Sequence, residues 1–569
     1  MAFDGIVTKA IASELQQLIG ARIDKIYQPN KDTIIIGIYC SGINYALNIC
    51  TNSQNYRINL TTHSKSNPQV APNFCMLLRK YLIGLRIKNF ITNSLERIIT
   101  IELEGYDDID DIINLKLIIE LMGKHCNIIL VDEENIIIDC LRHINSKNAT
   151  SEVIPHIKYT YPISNKNNFL EISNFDDFKS ILDLDNIDTK DLPLKISNTF
   201  NGFSKSFVLN TLNKFEFNNS LELYNYFSKI IDSTDSFNLS FEKISTDYFL
   251  ILNNSDNSEN FSLNFFIDDF YYNKETSEEF KNYRNTLLRL ILDILNKYNK
   301  RLDNINNKLK ECDNMELYKL YGELITANLY KIQNQNIDKI TLENYYDNNN
   351  PILIPLDKRF SPSINAKRFF KKYHKLKNAL DVVSSQKQKT LDELNYIESI
   401  VYELENTSSL NEVLDIFEEI SENDIFKEKT NKLKTKSYKI KKSKLTKNKF
   451  ISFNPIKYNI DGYTFLVGKN NKENDYLTLK YSKKTDIWFH TKDIHGCHAV
   501  LSVENGNVVD ENILLKCAEI TAFHSKAKNS SNVPVDFCEI KYVKKPNGAK
   551  PGMVIYSNNK TLYVNPKIK

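Results

Sequence analysis

The segment richest in chemistry is Asp486-Ile-Trp-Phe-His-Thr-Lys-Asp-Ile-His-Gly-Cys-His498, which holds the only tryptophan of the chain and three of its nine histidines. His490, His495 and His498 are residue types that ligate zinc. Their separations of five and three residues across a strand–turn pattern do not stack them on one helix face, and no carboxylate-rich partner cluster accompanies them. No metal and no other cofactor is therefore expected. The sequence gives no sign that Cys497 is activated as a nucleophile, so no catalytic residue is expected. Trp488, Phe489, His490 and Lys492 suit a surface that stacks on bases and contacts phosphate. Half-buried core aromatics would read the same way.

Further polar strings lie on either side. Gly468-Lys-Asn-Asn-Lys-Glu-Asn-Asp475 reads as a polar turn whose Asn470 and Asn471 could hold a loop or touch nucleic acid. Ser525-Lys-Ala-Lys-Asn-Ser-Ser531 offers Lys526 and Lys528, and Lys541–Gly552 offers Lys544 and Lys545 on a Gly/Pro loop. Both strings suit contact with an RNA backbone, and either could be a solvated loop. In the N-terminal half, Glu96-Arg97 opens a strand-like run. Glu120-Leu-Met-Gly-Lys-His-Cys-Asn127 closes another with a turn bearing Lys124 and His125. An ordinary Glu–Arg pair and a glycine turn would look alike.

These residues need elements to hold them. Residues 6–19 have helical periodicity with Ile6, Ile11, Leu15 and Leu18 inward, and Pro72–Leu85 reads as a second helix. Strand-like runs are Arg22–Tyr27, Thr33–Tyr39, Asn44–Cys50, Arg97–Glu102, Leu115–Leu121 and Asn127–Val131, an α+β domain ending near residue 170. Residues 175–275 are polar with short helical patterns. Within them, Leu194–Leu212 contains an Asn201-Gly202 turn of the kind that can present backbone N–H groups to a phosphate.

Leu288, Ile291, Leu295, Tyr298, Leu302, Ile305, Leu309 and Cys312 follow strict 3-4 spacing. Tyr373, Leu376, Leu380, Val383, Leu394, Ile397, Val401 and Leu404 form a second such seam, with Lys387 and Thr390 in register between. Residues 331–366, with Asn348–Pro351 and Pro355, separate the two. An antiparallel helical hairpin with a non-helical insert at its tip is the expected arrangement. Ile451–Pro566 has α/β patterning: strands at Thr464–Val467, Asp486–His490 and Ala499–Val503, a helix at Glu511–Ala527, and strands near Asp536–Tyr542 and Met553–Tyr556.

The chain has 569 residues, enough for several domains. Its net charge is only +3, but residues 427–569 hold 28 Lys, no Arg and 12 acids, a net +16 that leaves −13 for residues 1–426. Lys427–Lys449 alone carries eleven Lys against Glu428 and reads as a linker or arm. Such asymmetry points to a basic surface for phosphate backbones. Nine scattered cysteines without a CxxC pair fit a reducing compartment. No secretory pattern opens the sequence and no apolar run reaches membrane-spanning length, so a cytoplasmic protein is expected.

The strings MAFDGIVTKAIASEL, NFCMLLRKYL, ELMGKHCNIIL, YGELITANLY, NAKRFFKKYHKLKNA, GKNNKENDYLTLK, DIWFHTKDIHGCHAV and VKKPNGAKPGMVIY together resemble the NFACT family, whose bacterial branch is the RqcH proteins, historically called fibronectin-binding protein A homologues, and whose eukaryotic branch is NEMF. The resemblance covers essentially the whole chain. It implies a multidomain α+β architecture: an NFACT-N domain similar to the N-terminal domain of formamidopyrimidine-DNA glycosylases over 1–172, and a helix-hairpin-helix region over 173–278. A coiled-coil arm over 279–426 follows, with helices near 281–330 and 364–405. A Lys-rich linker over 427–450 leads to an α/β NFACT-R RNA-binding domain over 451–569.

It further implies a non-enzymatic factor that binds large ribosomal subunits obstructed by peptidyl-tRNA and recruits alanyl-tRNA for untemplated C-terminal alanine tailing, which marks the stalled chain for degradation. An Asp-Arg pair that matters for tailing and tRNA engagement in the family aligns with Glu96-Arg97, the acid here one methylene longer. The family's Glu-Met-Gly-basic string maps onto Glu120, Met122, Gly123 and Lys124.

Two rival functions follow from the same likeness. A surface adhesin for fibronectin would need a signal peptide or anchor, and neither pattern is seen. A DNA-lesion enzyme would need the glycosylases' N-terminal proline nucleophile, and position 2 is Ala2.

Overall fold

The computed structural model describes residues 3–106, 111–145, 152–162, 164–182, 191–217, 219–235, 239–244, 247–252, 262–332, 337–435, 453–504 and 509–568, the side chains of 428 and 431–435 excepted. The chain divides into two compact units, Met1–Ser277 and Glu278–Lys569.

The first unit opens with α1 (Gly5–Leu15), started by Asp4, whose carboxylate accepts from the Val7 N–H at 3.1 Å. Its Ile6, Val7, Ala10, Ile11 and Leu15 are fully buried. Strands β1 (Arg22–Asn30), β2 (Thr33–Cys40), β3 (Ile43–Cys50) and β4 (Arg57–Leu60) form one antiparallel meander. After α2 (Asn73–Leu82), strands β5 (Arg86–Thr92), β6 (Ile98–Tyr106), β7 (Ile112–Glu120), β8 (Asn127–Val131) and β9 (Ile137–Cys140) form a second. Pairing of β1 with β5 joins them into nine strands, ordered β4-β3-β2-β1-β5-β6-β7-β8-β9. β8 is buried at every residue because α1 and α2 cover one face, while Ile98, Ile118, Val153 and Tyr159 close the other.

The polar middle folds into α3 (Phe175–Leu182), α4 (Leu192–Thr199), α5 (Lys205–Lys214), α6 (Ser220–Asp232) and the hairpin β10 (Leu239–Ile244)–β11 (Asp247–Leu252). Its aromatic cluster of Phe178, Phe200, Phe203, Phe207 and Phe227 is continuous with the core of the sheet domain. The expected phosphate turn is corrected by this packing. Gly202 has φ +87° and faces Leu95, where a Cβ would come within 2.6 Å of the leucine side chain. Gly5 N–H donates to its carbonyl at 3.1 Å. The turn is a docking joint, and its glycine answers to close backbone approach.

Helix α7 (Leu263–Asp313) starts in this unit, eighteen residues before the expected position. Its first turns are held by polar bonds to β4 and the following loop. Asp268 accepts from Thr62 N–H at 2.8 Å and Asn59 Nδ2 at 3.3 Å, and Glu275 pairs with Arg57 at 2.7 Å and Lys65 at 2.8 Å. Composition alone does not announce this stretch because its anchors are polar.

In the second unit α7 continues as one limb of the arm. A break at Asn314 separates it from α8 (Met315–Ala327). The insert is a β-hairpin, β12 (Lys339–Asn344) with β13 (Asn350–Pro355), turned by Asn348 and Asn349 at φ +47° and +56°. Helix α9 (Pro362–Asn406) returns. Leu287, Ile291 and Ile294 of α7 pack with Tyr396, Ile397, Ile400 and Leu404 of α9. Arg284 donates to the Leu404 and Glu405 carbonyls at 2.8 and 2.6 Å, satisfying acceptors that the end of α9 leaves open.

Two helices follow, α10 (Leu410–Glu422) and α11 (Asp424–Thr435). The Lys-rich stretch therefore begins as helix, not linker, because Phe426 and Ile425 bury against Tyr396 and its neighbours. Residues 436–450 lie outside the described residues.

The C-terminal domain is a six-stranded antiparallel sheet, built from β14 (Ile456–Ile460), β15 (Tyr463–Val467), β16 (Ile487–Thr491), β17 (Ala499–Leu501), β18 (Val533–Glu539) and β21 (Lys560–Val564). Its order is β14-β15-β17-β16-β18-β21, and the small pair β19 (Val543–Lys544)–β20 (Ile555–Tyr556) lies apart. Residues 468–475, expected as a turn, are helical from Asn471 on, in the short helix α12 (Asn471–Tyr476). The longer α13 (Glu511–Phe523) buries Cys517, Ala518 and Ile520 against one face of the sheet. Leu466, Leu477, Trp488, Val500 and Cys538 fill the other.

Candidate RNA-binding surfaces

In the first unit, the β5–β6 turn and the end of β7 meet through the Leu121 N–H, which donates to the Arg97 carbonyl at 2.8 Å. Glu96 is half-buried and holds Asn93 Nδ2 at 3.4 Å; burial pushes its carboxyl above the usual range. Arg97 does not pair with it in a salt bridge. Its Nη1 donates to Tyr56 Oη at 2.8 Å, with the guanidinium 5.7 Å from that ring. Beyond the strand, Met122 is half-buried in the second cluster. Gly123 turns at φ +65° into a short 3-10 stretch, Gly123–His125, that leaves Lys124 and His125 exposed. The left-handed turn is what the glycine supplies.

Glu120 is a correction to the contact set. It is 5% exposed and accepts from Tyr159 Oη at 2.8 Å, so its place is inside the domain. Burial raises its pKa against that bond.

In the C-terminal domain, backbone ties bring two basic segments together: Gly496 bridges Ser525, and Lys526 N–H donates to the His495 carbonyl at 2.8 Å. Lys492, Lys526, Lys528 and Lys544 are exposed, and the Lys528 ammonium lies 4.0 Å from the Phe523 ring centre.

Several expected contacts are corrected. Asn470 is buried and caps α12, accepting from Glu473 N–H at 2.8 Å. Asn471 is buried too, and its Nδ2 donates to Ser399 Oγ at 3.2 Å and Glu419 Oε1 at 3.4 Å. Lys545 pairs with Asp475, which also accepts from Gly552 N–H at 3.1 Å. Trp488 is 0% exposed and cannot stack on a base from solvent. Its ring lies 4.8 Å from Tyr556 and 5.7 Å from a nearly parallel His490.

The three histidines do not converge on one ion. His495 meets Glu398 at 3.2 Å and His498 Nδ1 meets Thr478 Oγ1 at 2.9 Å. Burial holds His490 down to about 4 and His498 to about 3, so both are neutral imidazoles at pH 7. Among the described residues one group has metal-ligand proximity, Asp139, Cys140 and His143. There, Asp139 and His143 already pair at 2.7 Å, and burial pushes the Cys140 thiol up to about 12, far from the thiolate a metal requires.

One feature was not read from the sequence. The end of α9, the start of α10 and the C-terminal domain enclose a cavity of about 810 Å³. Tyr396, Ser399, Glu403 and Asn406 line it from α9, and Trp488, His490 and His498 from the sheet domain. The helical spacing of 396, 399, 403 and 406 marks a second stripe beside the apolar seam. A mixed polar and aromatic stripe of that kind was the available signal.

Comparison with known proteins matches this architecture. The profile described as NFACT N-terminal and middle domains covers residues 4–439, and the one described as NFACT protein RNA binding domain covers 449–558. The chain is 34% identical over its full length to 98% of the Rqc2 homolog RqcH of Bacillus subtilis. It is 33% identical, with the same coverage, to the protein of that name from Streptococcus suis. A solved structure of the C-terminal part of the fibronectin/fibrinogen-binding protein from Streptococcus suis shares 31% identity. It covers 51% of this chain and 96% of that one, at a TM-score of 0.36. With both profiles spanning nearly all of its length and full-length relatives above 30% identity, this chain belongs to the NFACT family and carries the family's RNA-binding domain.

Proposed function

We propose that this protein is a ribosome quality-control factor that binds large ribosomal subunits obstructed by peptidyl-tRNA. There it recruits alanyl-tRNA for untemplated C-terminal alanine tailing of the stalled chain. The observation that carries the reading is the full-length match to proteins named as Rqc2 homologues, joined to an RNA-binding domain that presents Lys492, Lys526, Lys528 and Lys544 to solvent. In this reading the protein makes and breaks no bond itself. The ribosome does the chemistry, and holding a charged tRNA at the site raises its effective concentration. Arg97 and Lys124 engage the tRNA, with Glu96 and Met122 shaping that surface around the Gly123 turn. The four exposed lysines follow RNA phosphates, a contact that weakens steeply with salt.

Sedimentation of lysate from a tagged strain tests this. The protein should travel with large subunits, and sequencing of the co-purified RNA should be enriched in one tRNA family. A profile confined to the top of the gradient with no tRNA in the pulldown overturns the reading.

A further inference from the structure

Trp488 and Phe489 are buried on the two faces of the C-terminal sheet, so a base held by this domain must stack on another ring. Among the described residues of 453–568 two tyrosines are exposed, Tyr481 and Tyr563. Three lysines lie within three residues of Tyr481: Lys480, Lys483 and Lys484. Only Lys560 lies that close in sequence to Tyr563.

Local structure fixes Tyr481 in place. Leu477–Tyr481 form a π-helical turn, closed by the Ser482 N–H, which donates to the Leu477 carbonyl at 3.1 Å. Such turns are rare and recur at functional sites. This one buries Leu477 and Thr478 and leaves Leu479, Lys480 and Tyr481 exposed. Tyr481 is 53% exposed, and Phe453 backs its ring with centroids 4.8 Å apart. Tyr476 packs on Phe453 at the same distance, so the backing ring is itself held. A ring so fixed and still half open to solvent loses little freedom when a base covers it.

The surrounding cations are available to phosphate. Lys480, Lys483 and Lys484 are exposed and have no ion-pair partner among the described residues, whereas nearby Lys541 meets Glu539 at 2.8 Å. Ile487 of β16 pairs with Glu539 of β18, so residues 480–486 and 540–544 leave the same end of the sheet. The Lys541 N–H donates to the Lys484 carbonyl at 3.3 Å, and Lys544 is exposed three residues on. Lys492 leaves the other end of β16, across roughly 17 Å of strand. Tyr563 stands at that other end: it pairs with Pro534, whose carbonyl accepts from the Lys492 N–H at 2.9 Å.

We infer that Tyr481 is a stacking platform for one base of a single-stranded RNA, with Lys480, Lys483 and Lys484 on the phosphates beside it. This rests on the domain's RNA binding and deepens it: lysines at both ends of β16 hold backbone, and one end also holds a base.

Fluorescence anisotropy on the full-length protein tests this, with labelled RNA dodecamers of mixed sequence and an abasic dodecamer of equal phosphate count. Tyr481→Ser should weaken the base-bearing strand about tenfold or more and leave the abasic strand unchanged. Tyr481→Phe, which keeps the ring face, should bind as the wild type does. Changing Lys480, Lys483 and Lys484 together to Gln should weaken both strands and lower the log–log salt slope by about 2. Tyr563→Ser should alter neither strand. Wild-type binding by Tyr481→Ser overturns the platform and leaves the domain's RNA binding standing. So does a Tyr481→Ser loss that falls equally on the abasic strand, or a loss seen with Tyr563→Ser instead. Failure of the wild type to bind either strand overturns the RNA binding on which the platform rests.

Discussion

Replacing Asp4 with asparagine should stabilise the first unit near neutral pH and destabilise it slightly at acid pH. Asp4 caps α1, accepts from Val7 N–H at 3.1 Å and Ser204 Oγ–H at 2.8 Å, and is buried. Burial pushes its carboxyl from 3.8 to about 6, against the pull of both bonds and of Arg97. The folded state therefore holds the proton more tightly than the unfolded chain. The resulting penalty is absent below about pH 4, grows as pH rises to about 6, and is constant above. The gap of roughly two units corresponds to about 3 kcal/mol. Asparagine keeps the cap oxygen but reverses the bond to Ser204, at a cost of about 1 kcal/mol. The expected net effect of Asp4→Asn is a gain of about 2 kcal/mol at pH 7.5 and a loss of up to about 1 kcal/mol at pH 4, where the penalty has gone. Asp4→Ala loses the cap outright and should be weaker than the wild type by about 1 kcal/mol at pH 4. Urea unfolding, read by pulsed hydrogen exchange of peptides covering residues 4–15 at one labelling pH, measures both variants. If Asp4→Asn is less stable than the wild type at pH 7.5, the favourable interactions of the ionised carboxylate outweigh its burial and the reasoning fails.

Gly202→Ala should cost about 2–3 kcal/mol, since φ +87° strains any side chain and Leu95 occupies the space; an unchanged melting temperature would count against the docked turn. Tyr159→Phe should lower stability by about 1 kcal/mol through loss of the bond to Glu120 and leave tRNA recovery in pulldowns unchanged. Arg97→Ala and Lys124→Ala should reduce that recovery; equal recovery from both variants would remove this end of the sheet from the proposed tRNA surface. Changing Lys492, Lys526, Lys528 and Lys544 together to Gln should flatten the salt dependence of single-strand RNA binding by up to about 3 in log–log slope. Lys545→Gln alone should change it far less, because Asp475 already holds that ammonium.

Much of the architecture was legible because apolar periodicity reports burial directly. The seam through Leu288, Ile291, Leu295, Tyr298, Leu302, Ile305, Leu309 and Cys312 lies on the protected face of α7, and Val383, Leu394, Ile397 and Leu404 are buried on α9. Strands β2, β3 and β6 to β8 sit where runs of branched residues placed them. Edge strand β4 and strand β5 were missed, the one short and polar, the other broken by Lys88 and Asn89. The first turns of α7 escaped notice because Asn264, Asp268 and Glu275 are anchored by hydrogen bonds and ion pairs, which leave no period in the sequence.

The candidate sites divide in the same way. Residue type and charge identified a basic C-terminal domain, and Lys492, Lys526, Lys528 and Lys544 do reach solvent there. Type alone could not separate a lysine free for phosphate from one held by an acid: Lys545 meets Asp475 across 70 residues. Nor could it tell an aromatic that stacks on bases from one that fills a core, since Trp488 and Phe489 lie on opposite buried faces of one sheet. Asn470, Asn471 and Glu120 look like polar contacts as a string and are bonded inward in the fold. The sequence by itself determined the helices and strands that carry apolar periodicity and the placement of charge, because those depend on neighbours a few residues away. Only the tertiary structure decided which polar groups are spent on one another and which stay open, because Lys545 meets Asp475 from a segment 70 residues away while neighbouring Lys544 stays exposed.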